Sequence, residues 1–150
     1  MRSARGITLV ELLVVVGLLS IALAIGAAAM RSGMPGTQLR GAARELAAQL
    51  RYTRAQAIVT GAPQVFTLDA RTREWRAPNR RHGTLPREIQ IVATGARIEQ
   101  AHPDEVAMRF FPEGASTGGR IVLKRGDAAW QLDVEWLTGQ VSLQRGTGTP

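Results

Sequence analysis

The spacing of apolar residues divides the chain into three regimes. From Ile7 to Met30 nearly every side chain is apolar, and the 24 residues hold a single charge, Glu11. At about 1.5 Å per residue, a helix of that length crosses the roughly 30 Å hydrocarbon core of a bilayer with some tilt to spare. The pattern predicts a transmembrane helix over residues 7–30. Arg2 and Arg5 flank its start and Arg31 its end, so flanking positive charge does not by itself set the orientation. The small residues of "AIGAAAM" would suit signal-peptide cleavage after the run, but the run is long for a signal peptide, and that reading leaves Glu11 unexplained.

The second regime follows "RSGMPGTQ". Gly33, Pro35 and Gly36 are poor residues for a helix interior, so a kink or break is expected over residues 31–36, with Thr37 capping a second helix. From there Leu39, Ala43, Leu46, Leu50, Ala57 and Ile58 fall near one face at helical spacing. Arg40, Arg44, Arg51 and Arg54 lie elsewhere around the helix and read as a solvated face, one that can also meet anionic membrane lipid. Gly61 with Pro63 ends the helix.

Past Gly61 the period shortens. "PQVFTLD", "REWRAP", "EIQIVAT", "EVAMRFF", "GRIVLKR" and "WQLDVEW" are short runs with β-branched or aromatic residues, separated by "PEGASTGG", "RGDA" and "LTGQ". A helix followed by a succession of strands predicts an α+β fold, with residues 37–150 forming one domain whose helix lies on antiparallel sheet. Only the terminal "GTGTP" reads as frayed.

The composition narrows the chemistry. With no cysteine, disulfides, Cys-bearing zinc sites and thiol nucleophiles are excluded. The net charge is +7, and every basic residue except Lys124 is Arg. "GASTGG" lacks the Lys-Ser/Thr of a phosphate loop and precedes a strand, so its glycines read as turn positions. His82 and His102 have no second ligand at metal spacing, and "HPDE" at 102–105 reads as a solvated loop. No nucleophile–base motif stands out, so a non-enzymatic protein without metal or cofactor is expected. "RTREWRAPNRR" gathers Arg71, Arg73, Arg76, Arg80 and Arg81 around Trp75, a mixture that single-stranded nucleic acid can use. On an alternating strand Arg71, Arg73 and Trp75 would share one face and Arg76 the other. An exposed hairpin is the plainer reading.

Glu11 carries the sharpest signal. A carboxylate inside a bilayer costs on the order of 2.5–3.5 kcal/mol, so it needs a reason and a partner. If the chain were cut after Gly6, the new α-amino group of Ile7 would stand one helical turn from Glu11, its own or that of a neighbour in a bundle of staggered helices. Two buried charges become tolerable when they are paired. "RG-ITLVELLVVVGLLSIALAI" resembles the class III signal of type IV pilins and type II secretion pseudopilins: a short basic leader ending in Gly, an apolar residue, and Glu fifth after the cut. The resemblance implies a leader of residues 1–6, prepilin peptidase cleavage between Gly6 and Ile7, N-methylation of Ile7, and Glu11 as the assembly glutamate. Phe is usual where Ile7 stands. The C-terminal part is then expected to face the periplasm.

The likeness extends further. "LRGAARELAAQLRYTRAQAIVTG", "FFPEGASTGG" before "RIVL", and "VEWLTGQV" are similar to the H-type minor pseudopilins of type II secretion, the GspH/FimT grouping. That resemblance implies two sheets on the helix and a subunit of a periplasmic pseudopilus near its tip, supporting export of folded proteins. It also implies partners: other minor pseudopilins, the major pseudopilin, the prepilin peptidase and the inner-membrane secretion platform. Major pseudopilins of such systems bind calcium in an acidic C-terminal loop, whereas "LTGQVSLQRGTGTP" holds no acid, so no such site is expected. The alternative is a minor type IV pilin that binds DNA during uptake through its arginines, or that supports pilus biogenesis. Against the DNA reading, the C-terminal tail offers Arg145 alone.

Overall fold

The computed structural model describes residues 9–31, 35–95 and 105–147. It divides at Met34 into two compact units. The first contains α1, Leu9–Arg31, a 23-residue helix with Glu11 in its first turn. Its described side chains run from residue 9 to 24. Among these described residues alone, no helix is long and apolar enough to cross a membrane. Gly6 and Ile7, on which the cleavage and methylation expectations fall, lie outside the described residues, as does His102.

The second unit begins with α2, Pro35–Thr60. Proline is favoured in the first turn of a helix, where a missing N–H removes no hydrogen bond and φ is already helical. That is why α2 starts at Pro35, two residues ahead of the expected cap at Thr37. The other end is as expected: Gly61 adopts φ 62°, the left-handed conformation that closes a helix, and Pro63 follows.

One stripe of α2 is buried: Leu39, Ala42, Ala43, Leu46, Ala47, Leu50, Thr53 and Ala57. Thr53 is satisfied locally, its hydroxyl donating to Gln49 O at 2.8 Å. Ile58, expected on this face, is 47% exposed instead. It follows Ala57 by about 100° of helical turn, which carries it off the stripe.

Among the described residues, eight antiparallel strands form two four-stranded sheets. The first has order β3-β2-β1-β5, from β1 (Gln64–Asp69), β2 (Glu74–Ala77), β3 (Arg81–Thr84) and β5 (Glu105–Phe110). The second has order β4-β6-β7-β8, from β4 (Gln90–Gly95), β6 (Gly119–Arg125), β7 (Ala128–Val134) and β8 (Val141–Thr147). α2 packs on both sheets. The core between them includes Phe66, Leu68, Trp75, Met108 and Phe110 from the first sheet and Ile121, Leu123, Leu132 and Val134 from the second.

β3 and β8 were not among the expected strands. β3 owes its place to a close fit: Gly83 stands opposite Trp75, and a Cβ at Gly83 would come within 2.7 Å of the indole. β8 reaches Gly146 and Thr147, the first two residues of the segment expected to fray.

Candidate functional site

Over residues 9–24, α1 presents apolar surface on every side. Leu9, Val10, Leu12, Leu13, Val14, Val15, Val16, Leu18, Leu19, Ile21 and Leu23 are all exposed. A helix that is apolar all round belongs in lipid or among other helices. Its one polar hydroxyl, Ser20, donates to Val16 O at 2.8 Å and so makes no demand on water. Glu11 is exposed in the first turn, bordered by Leu12, Val15 and Val16. A negative charge is favoured at the N-terminal end of a helix by the helix dipole. Thus the structure places Glu11 on a surface that must be covered by something else.

The arginine cluster is dispersed. Trp75 is buried and stacked on Phe66 with ring centroids 6.4 Å apart, so it offers no platform to a base. Arg71 and Arg73 do not continue the alternation of β2, because they lie in the turn before it, where Arg73 adopts φ 62°. Arg71, Arg73 and Trp75 therefore do not share a face, because the turn breaks the two-residue period. The exposed-hairpin reading holds: Arg71, Arg76, Arg80 and Arg81 are exposed on the β1–β2 and β2–β3 hairpins. Arg71 and Arg76 border a depression on the first sheet together with Asp69, Glu74 and Glu105. Three carboxylates among two guanidinium groups make a poor phosphate surface. Arg76 lies 3.5 Å from Glu74. Asp69 Oδ1 accepts from the N–H of Thr72 and of Arg71, at 2.9 and 2.7 Å. Those backbone bonds, Thr72 foremost, hold the Asp69 carboxyl below its usual range. Arg80 is exposed in the β2–β3 turn, whereas Arg81 faces α2, with its guanidinium 4.3 Å from the Tyr52 ring centroid. Beside it, Asn79 donates to the Tyr52 hydroxyl at 2.7 Å.

Two arginines of α2 do structural work that the spacing of the sequence did not reveal. The Nε–H of Arg54 is shared between Gly114 O at 3.1 Å and Thr138 O at 3.0 Å. Arg51 donates to Val141 O at 3.0 Å. Arg40, Arg44 and Arg51 remain exposed, as expected of a solvated face, whereas Arg54 is half-buried; Arg40 also lies 5.8 Å from the Trp130 ring centroid. Among the described residues no group of three His, Cys, Asp or Glu is arranged to hold a metal ion.

A helix laid on two antiparallel four-stranded sheets, with a separate apolar helix before it, is the fold of pilin-like subunits. Residues 42–139 match the family described as type II transport protein GspH, and residues 1–27 match the prokaryotic N-terminal methylation motif. The chain is 49% identical over 140 residues to the type II secretion system protein H of Xanthomonas campestris pv. campestris, covering 93% of this chain and 83% of that one. Its fold is similar to the minor pseudopilin EpsH of the Vibrio cholerae type 2 secretion system, with TM-score 0.57 and 15% identity over 72% of this chain and 97% of the other. It is equally similar to the type IV minor pilin FimU of Pseudomonas aeruginosa, with TM-score 0.57 and 15% identity over 72% and 89%. The chain belongs to the GspH family, the minor pseudopilins of type II secretion. That membership and the methylation motif imply a membrane-anchored periplasmic protein that interacts with other pseudopilins.

Proposed function

We propose that this chain is a structural subunit of the pseudopilus tip or initiation region, held in the inner membrane by residues 7–30 until it enters the fibre. Prepilin peptidase cuts between Gly6 and Ile7, Ile7 is N-methylated, and the C-terminal unit lies in the periplasm. In the fibre the apolar helices pack together, and Glu11 answers the α-amine of a neighbouring subunit. The observation that supports this most is the surface of α1, apolar on all sides around one first-turn carboxylate. Neither lipid nor a helix bundle accommodates that carboxylate cheaply without a cation at the same depth.

Glu11→Ala tests the pairing. Insertion and leader removal should be unchanged, because the substitution only makes the segment more apolar. Breaking a buried ion pair costs about 3–5 kcal/mol, so co-purification with the other pseudopilins should fall roughly a hundredfold or more. Undiminished co-purification of a correctly processed variant contradicts the pairing.

A further inference from the structure

The turn between β7 and β8 exposes two large apolar side chains on a backbone that is held from several sides. Trp136 is 69% exposed and Leu137 is 66% exposed. Within the turn, Glu135 N–H donates to Gln140 O at 3.0 Å and Gly139 N–H to Glu135 O at 2.9 Å. The Thr138 hydroxyl donates to Glu135 Oε2 at 2.9 Å. From the neighbouring loop, Ser116 N–H donates to Trp136 O at 2.8 Å, and the Ser116 hydroxyl to Glu135 O at 3.0 Å. Gly118 adopts φ 71°, and a Cβ there would stand 3.2 Å from Trp136 Cβ. Arg54 ties the base of the turn to Gly114, beside which lies the exposed Ile58.

An exposed Trp on a backbone already fixed loses little entropy when it is buried by another protein, and this is the usual composition of an interface hot spot. The flank of the turn adds a charge. Arg51, Arg54, Gly139, Gln140 and Val141 line one shallow notch. Both guanidinium groups spend a donor on a backbone carbonyl, and neither is in an ion pair found among the described residues. Their remaining N–H groups suit a carboxylate.

We propose that the Trp136–Leu137 turn and the Arg51/Arg54 notch together form a lateral docking surface for a different pseudopilin, one that offers an apolar patch bordered by a carboxylate. The assignment rests on the fibre-subunit reading given above. Charge selects a protein over nucleic acid as the occupant: a single placed carboxylate can meet Arg51 and Arg54, whereas a run of phosphates must also meet the exposed Glu135 within the turn and Glu113 in the adjoining loop.

The test uses the full chain, expressed with the other pseudopilins and extracted in detergent. Because the chain has no natural cysteine, Leu137→Cys supplies a unique cross-linking position. Trp136→Ala and Leu137→Ser are compared with Glu11→Ala. Both turn substitutions remove exposed atoms, so the thermal midpoint should hold. The expected result is a cross-link from position 137 to another pseudopilin, and a drop of about tenfold or more in its co-purification with Trp136→Ala. Full recovery with both turn variants while Glu11→Ala is lost overturns the docking surface and leaves the fibre reading standing. Failure of the unaltered chain to recover any pseudopilin overturns both. Cross-links confined to a second copy of this chain, or DNA binding that disappears with Trp136→Ala, overturn the stated occupant.

Discussion

Gly139 sits where two constraints meet. Its φ of 62° lies in the left-handed region, and a Cβ on it would collide with the carbonyl oxygen of Gly114. Gly139→Ala should therefore destabilise the domain by on the order of 2–3 kcal/mol in denaturant unfolding. A loss within a few tenths of that of an ordinary surface substitution would show that the two loops are not held as described. Asp69 gives a second residue-scale outcome. Its folded pKa is depressed by the N–H groups of Thr72 and Arg71, so its contribution is present above the unfolded value of about 3.9 and is lost as pH falls through the folded value. Asp69→Asn should narrow the difference between urea midpoints measured at neutral pH and below about pH 4. An unchanged difference would assign that acid sensitivity to other carboxylates.

At the scale of elements, α2 is the organiser, and Arg54 is the residue through which it governs the loops. Arg54→Ala removes a charged donor shared by two carbonyls, a loss of about 1–3 kcal/mol when such a group is half-buried. Amide exchange should quicken in residues 112–118 and 136–140 while β2 and β3 keep their protection. Uniform exchange across these segments would show that the clamp is incidental. This role was not visible in the sequence, because arginines outside an apolar stripe look alike until the loops they reach are known. What was visible came from local chemistry. Gly61 and Pro63 mark the end of α2, and the β-branched and aromatic residues of "PQVFTLD" and "GRIVLKR" mark β1 and β6. β3 was missed because Arg81–Thr84 has little strand character of its own and exists as the partner of β2, with Gly83 admitting the Trp75 ring. The arginine cluster reads correctly as an exposed hairpin, but not with Arg71, Arg73 and Trp75 on one face. The turn at Asp69–Arg73 resets which side chains face out, and a linear count of period two runs straight through it.

At the scale of the whole molecule, the two units answer different demands. Over residues 35–95 and 105–147 most large apolar side chains are buried in a core of that unit's own, whereas the described face of α1 is left to an environment that other molecules supply. On the function proposed above, the membrane first and the fibre afterwards would meet that demand, and Glu11 would distinguish between them. It is a liability in lipid and an asset where a neighbour's amine stands at the same depth. That amine exists only if the six-residue leader has been removed. The most direct measurement is the intact mass and N-terminal sequence of the chain extracted from membranes that contain the peptidase. A chain beginning at N-methylated Ile7 is the expected result. A chain that retains Met1–Gly6 would have no α-amine at that position, and would contradict the charge pairing on which the assembly reading depends.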